Sequence, residues 1–159
     1  MKHKFFISDT HFGHSKIYEG EQARVWANNR EDGDQYMIDK WNSVVKSNDT
    51  VYHLGDVAFP KKSLEILSKL HGQKILIRGN HDIYPLEEYA KYFKDIRGAY
   101  SFENIMFTHI PIYSGEKKRW KFNVHGHLHN KVVGDPFYKN VCVEQIDATP
   151  VHFDELINL

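Results

Sequence analysis

Lys74-Ile75-Leu76-Ile77-Arg78-Gly79-Asn80-His81-Asp82 sets a short apolar run against a glycine-led polar turn. The run has the length and branching of a buried β-strand. The turn carries an amide, an imidazole and a carboxylate within four residues. The same plan recurs along the chain. Phe5-Phe6-Ile7-Ser8 runs into Asp9-Thr10-His11, and Thr50-Val51-Tyr52-His53-Leu54 runs into Gly55-Asp56. A strand over residues 105–108 ends at Thr108-His109, and Phe122-Asn123-Val124-His125 ends at Gly126-His127-Leu128-His129. A lone D-x-H is common. Five such pieces in order, each at a strand end, supply the carboxylate, imidazole and amide donors that hold two divalent transition metals side by side.

The remaining segments alternate between helix and strand. Met37, Ile38, Trp41, Val44 and Val45 fall on one helical face, with Asp34 as the expected N-cap. Helical spacing returns over residues 63–70, with Gly72 as the stop, and over 86–93, with Pro85 at the first turn. Residues 99–102 and 105–108, parted by Glu103-Asn104, read as a hairpin. A further strand is expected over 140–144 and a helical turn over 153–159. Residues 12–33 read as a loop. Strands alternate with helices early and dominate late, which fits two packed sheets with helices outside.

The order and spacing of the five motifs resemble those of the calcineurin-like metallophosphoesterases, from Asp9 to His129. The resemblance implies an α/β fold, a four-layer α/β/β/α sandwich in minimal form, as one domain over residues 1–159. It implies that Asp9, His11 and His129 bind one metal, that Asn80, His109 and His127 bind a second, and that Asp56 bridges them. His81 matches the family's non-ligand histidine, the general acid that protonates the leaving oxygen. The metals would be drawn from Mn, Fe, Zn, Ni and Co, since all suit mixed oxygen and nitrogen donors.

The chemistry needs these groups. Anionic phosphoryl oxygens repel a nucleophile; two metals offset this by absorbing charge and by lowering the pKa of a bridging water. Gly55, Gly79 and Gly126 leave room where a side chain would crowd the metals. Asp82 is either a partner orienting a neighbouring imidazole or a turn residue. His14 and Arg30 are candidates to touch the substrate phosphate. Lys16, Arg24 and Arg78 are further basic groups near the motifs, and Trp26, Tyr18 and Tyr113 are rings that either stack on a ligand or pack in the core. His125 reads as an outer group or a core histidine, and His53 as structural.

Twenty-one acidic and 21 basic residues cancel over 159 residues. No basic stripe exists to coat nucleic acid by counterion release. Cys142 is the single cysteine, so no intrachain disulfide forms, and it is expected to pack as a small apolar residue. No apolar stretch approaches the roughly 20 residues of a membrane span. The apolar run after Met1 is too short for a signal peptide, and the expected location is cytoplasmic.

The expected partner is a small phosphate ester, with no protein partner inferable. Gly55-Asp56 is followed by Val57-Ala58-Phe59-Pro60, and Asp82 stands where protein phosphatases carry glutamate. Both departures point away from protein dephosphorylation. The leading expectation is a phosphodiesterase acting on a nucleotide-sized diester. The alternatives are a phosphomonoesterase and a non-catalytic scaffold that keeps the fold.

Overall fold

The computed structural model describes residues 1–19 and 24–159. Strand β1 (Lys4–Ile7) leads through a 3-10 turn (Ser15–Tyr18) to helix α1 (Arg30–Val44) and strand β2 (Thr50–His53). A 3-10 helix (Lys61–Lys69), β3 (Gln73–Ile77), α2 (Leu86–Ala90) and β4 (Asp95–Arg97) follow. The second half holds β5 (Tyr100–Phe102), β6 (Ile105–Thr108), a 3-10 turn (Ser114–Lys118), β7 (Phe122–His125), β8 (Tyr138–Asn140), β9 (Val151–His152) and a last 3-10 helix (Phe153–Asn158).

The strands make two sheets, ordered β4-β3-β2-β1-β9 and β5-β6-β7-β8. Strands β1 to β4 run parallel and β9 pairs antiparallel at the edge. In the second sheet the β5–β6 hairpin is antiparallel, while β6, β7 and β8 run parallel. Alternation along the strands divides the core. Phe5, Ile7, Val51 and Leu76 face Met37, Trp41, Leu64, Leu67 and Tyr89 of the helical layer. Phe6, Tyr52, Leu54 and Ile77 face Ile105, Phe107 and Val124 of the second sheet. There Phe6 stacks on Phe107 with ring centroids 4.7 Å apart and on Tyr52 at 5.1 Å. The mixed α/β architecture with two facing sheets is the one the motif order implies. Among the described residues no helix is long and apolar enough to cross a membrane.

Several boundaries differ from expectation. Helix α1 starts at Arg30 and not at Asp34. Its N-cap is Asn29, whose side chain accepts from Asp32 N at 2.9 Å. Asp34 lies within the helix instead, half-buried, and both its carboxylate oxygens accept from Gly13 N. Residues 30–33, read as the end of the loop, form the first turn of this helix, and Gly33 is there a glycine because the Tyr18 ring occupies the space a Cβ would need. The strand expected over 140–144 ends at Asn140. Beyond it, Val141 O accepts from Ser8 N at 2.9 Å, and Val143 N donates to Ser8 O at 3.1 Å. This segment therefore leaves the second sheet and ties its end to the end of β1. Strands β4 and β9, of three and two residues, are too short to show a period.

Candidate metal centre

Five loops carry the candidate ligands, each following a strand: Asp9 and His11 after β1, Asp56 after β2, Asn80 after β3, His109 after β6, and His127 and His129 after β7. Parallel pairing within each sheet brings these ends to one edge. Backbone hydrogen bonds lock the loops together. Asp9 N donates to Gly55 O at 2.9 Å, His11 N to Asp56 O at 3.1 Å, and Gly126 N to His109 O at 2.9 Å.

The backbone itself is unusual. Asp9, His11, Asp56, His127 and His129 have φ of 58°, 45°, 57°, 69° and 52°. The left-handed region costs an L-residue about 1–2 kcal/mol, so the surrounding contacts must hold each one there. The pair His127 and His129 accordingly does not alternate along a strand; both project from a left-handed loop. Gly55 has φ +103° and lies against the Gly79 backbone, leaving no space for a Cβ.

Asp9 is fully buried. Its Oδ2 accepts from Ser8 Oγ at 2.5 Å, His127 N at 2.8 Å and Cys142 Sγ at 3.3 Å. Cys142 is buried as expected, and it also touches the site. Asp9 Oδ1 has no hydrogen-bond partner, and neither has the buried His11 Nε2. The two lie 3.7 Å apart, with His129 Nε2 3.6 Å from the same oxygen. His129 Nδ1–H donates to Glu144 Oε1 at 2.9 Å, so its Nε2 lone pair faces Asp9. Three acceptors thus converge on one spot. A buried polar atom without a partner is costly, and a cation on this spot satisfies all three.

A second convergence lies beside it. His109 Nδ1–H donates to Leu54 O at 2.7 Å, leaving Nε2 at 2.9 Å from Asn80 Oδ1 and 3.4 Å from Asp56 Oδ2. His127 Nδ1 lies 3.0 Å from Asn80 Oδ1. Asp56 Oδ2 is also 3.5 Å from His11 Nε2. One carboxylate oxygen therefore stands between two donor groups, Asp9–His11–His129 and Asp56–His109–His127. Within each group the donor atoms lie within 4.8 Å of one another.

The electrostatics agree. Burial alone would raise the Asp56 carboxyl, yet the hydrogen bond and charge of His109 hold it at about 2. Asp9 is likewise held well below the ordinary carboxylate value against its burial, by His11, His109 and His129. Burial would lower the His109 imidazole, but Asp56 and Asp9 together lift it to about 9. The site attracts positive charge, and its oxygen and nitrogen donors suit divalent transition metals.

The other expected residues fall in different places. The His81 side chain is 65% exposed, with Nδ1 2.8 Å from Asp56 Oδ2 and its backbone N donating to Asp56 Oδ1 at 2.9 Å. Asp82 orients no imidazole. Its carboxylate accepts from the backbone N–H groups of Asp56 at 2.9 Å, Val57 at 2.9 Å and Gly79 at 2.7 Å. His14 lines the cleft beside the centre, and Lys16 lies at the same cleft. Arg30 does not line that cleft; its guanidinium pairs with Glu31 at 2.7 Å on the helix surface. Trp26 stacks on Tyr36, and Arg78 donates to the carbonyls of Asp82 and Tyr84. His125 Nδ1 donates to Gly126 O at 2.8 Å and does not join the cluster. His53 accepts from Gly55 N and donates through Nε2 to Thr10 Oγ1 at 2.9 Å, which joins two ligand loops.

Sequence reading missed Glu144. It carries no motif; the only signal is a carboxylate following the apolar run Val141-Cys142-Val143. Its Oε1 accepts from His129 and from Arg24 Nε at 3.3 Å. Arg24 is 1% exposed and donates to Asp9 O at 2.7 Å and Thr10 O at 2.6 Å. This arginine braces the loop of Asp9 and does not face a ligand.

Comparison with known proteins gives the family and the fold. The family model described as calcineurin-like phosphoesterase matches residues 5–158. An uncharacterised protein of Methanocaldococcus jannaschii is 34% identical over the whole chain and 92% of its own length. The gene 66 protein of Mycobacterium phage L5 is 37% identical over 52% of the chain, which spans only 41% of that protein. The crystal structure of a protein of unknown function from Aquifex aeolicus superposes with a TM-score of 0.77 at 27% identity, covering 99% of both chains.

Proposed function

Since the chain belongs to the calcineurin-like phosphoesterase family, we propose that it hydrolyses a phosphate ester at a pair of divalent metal ions, favouring a nucleotide-sized diester over a monoester. Asp9, His11 and His129 would hold one ion, and Asn80, His109 and His127 the other, with Asp56 between them. The observation that carries this reading is the position of Asp56 Oδ2, 3.5 Å from His11 Nε2 and 3.4 Å from His109 Nε2. When bound, such ions supply positive charge for the phosphoryl oxygens and acidify an attacking water.

The chain's own residues do the rest. Asp82 fixes the backbone of Asp56, so the shared carboxylate is held in place before any ligand arrives. Glu144 fixes the ring of His129 and its tautomer. His81 rests Nδ1 on Asp56 and leaves Nε2 to the cleft, where an imidazole can hand a proton to the departing oxygen. The Gly-Asn-His-Asp turn and the valine after Asp56 keep the departure from the protein-phosphatase pattern, which supports a small substrate.

Elemental analysis of Mn-loaded protein should approach two ions per chain, and kcat/KM for bis(p-nitrophenyl) phosphate should exceed that for p-nitrophenyl phosphate. A stoichiometry at or below one removes the bridging role of Asp56. A clear monoester preference replaces the diesterase reading with a phosphomonoesterase.

A further inference from the structure

Beside the ionic centre the cleft changes character. It encloses about 340 Å³, within the range of small-ligand sites. Its floor is His11, Asp56, His81 and His129, and its walls include Ile17, Ala58, Phe59 and Ile83. Phe59 is 46% exposed and Ile83 62% exposed, two large apolar groups left in water next to the most polar part of the molecule. Hydrogen bonds hold the backbone beside both. Phe59 N donates to Phe12 O at 2.9 Å, and Ile83 follows Asp82, which three backbone amides hold.

A phosphorylated sugar or a polyphosphate would gain nothing from such walls. A planar ring would, because stacking on an aromatic face repays the apolar exposure. The spacing narrows the ligand further. The His11 and His14 rings are 6.0 Å apart, and the His14 and Phe59 rings 5.3 Å apart. A ring joined directly to a phosphate at the metal ligands would reach only the first step. A ring carried on a pentose reaches the second. At the intermediate step stands His14, which lines the cleft and is placed beside a pentose.

Resting on the phosphoesterase reading, we infer that Phe59 and Ile83 form a base subsite, so that the substrate is a nucleoside phosphate ester with its base on Phe59 and its ribose beside His14. The ring subsite is thus at Phe59 and Ile83 and not at Trp26, whose ring stacks on Tyr36.

Calorimetric titration of the Mn-loaded protein with AMP and with ribose 5-phosphate tests this, since the two differ only in the base. AMP should bind at least about tenfold more tightly. Phe59→Ala should bring the two affinities within about threefold without weakening ribose 5-phosphate, and Phe59→Trp should keep the preference. Ile83→Ala should reduce it partly. Equal affinities in the wild type, or a preference that survives Phe59→Ala, would overturn the base subsite while leaving the phosphoesterase reading intact. Failure of both ligands to bind overturns the subsite, while turnover of bis(p-nitrophenyl) phosphate by the same Mn-loaded protein decides the phosphoesterase reading separately.

Discussion

Removing the Glu144 carboxylate should damage folding and metal binding together, and the two losses are separable. In Glu144→Ala the buried Arg24 guanidinium loses its counter-charge, and His129 Nδ1–H loses its acceptor. Breaking a buried ion pair from one side costs about 3–5 kcal/mol. Arg24 keeps its bonds to the carbonyls of Asp9 and Thr10, so the lower half of that range is expected. Glu144→Gln keeps an acceptor oxygen in place of Oε1 and removes only the charge. Its cost should be about 1–2 kcal/mol, the difference between charged and neutral hydrogen bonds. Metal affinity should fall by about 10–100-fold in the alanine variant, the usual effect of losing a carboxylate behind a ligating histidine, and by less in the glutamine variant. Urea unfolding of the metal-free protein reads the first quantity and calorimetric Mn titration the second. An alanine variant with wild-type metal affinity and a lowered unfolding midpoint would show that Glu144 only neutralises Arg24 and that His129 needs no orienting partner.

Asp82→Asn should lose one of three backbone hydrogen bonds, because an amide nitrogen cannot accept from Val57 N; a loss of about 1–3 kcal/mol in urea unfolding is expected, and an unchanged midpoint would refute it. His81→Ala should leave metal stoichiometry intact while slowing esters of poor leaving groups by about 10²–10⁴, with little effect on p-nitrophenyl esters; equal losses on both would remove its role as acid. His53 is fully buried, and burial depresses its pKa from 6.5 to about 3, so the unfolded chain takes up the proton first. Its contribution to stability is complete above pH 6.5 and drains as pH falls toward 3, at up to about 1.4 kcal/mol per unit; unfolding of the metal-free protein against pH should show a shallower acid slope in His53→Gln. His109 is lifted to about 9 without metal, so Mn binding at pH 7 should expel its proton. Calorimetry in buffers of different ionisation enthalpy would read that release, and a buffer-independent heat would contradict it.

The candidate ligand positions were legible because each joins two local signals, an apolar run that must be a strand and a polar group where the strand stops. Asp9, Asp56, Asn80, His109, His127 and His129 needed only that the strands be parallel for the structure to gather them. Residues whose partners are distant left no such mark. Glu144 meets His129 from 15 positions away and Arg24 from 120. Asp34 looked like a helix cap because capping is local, yet it answers to Gly13, 21 residues back. The loop of residues 12–33 read as a candidate ligand cover by its charges. The structure divides it: His14, Lys16 and Ile17 line the cleft, while Arg24 is enclosed and Arg30 pairs with its neighbour Glu31; residues 20–23 lie outside the described residues. The apolar cleft wall was invisible because Phe59 and Ile83 look like core residues until their exposure is known.

The left-handed backbone at Asp9, His11, Asp56, His127 and His129 has a consequence for how this centre tolerates change. Each of these positions constrains its occupant twice, through the donor atom it presents to the cluster and through the corner its main chain must turn. Asparagine and glycine pass the second requirement with little difficulty, while alanine, leucine or valine fail both. The substitutions that drain the donor set while sparing the fold are therefore few and chemically alike. Transplanting the same side chains onto a helix or the middle of a strand would reproduce the list of donors without their directions, since those corners aim them.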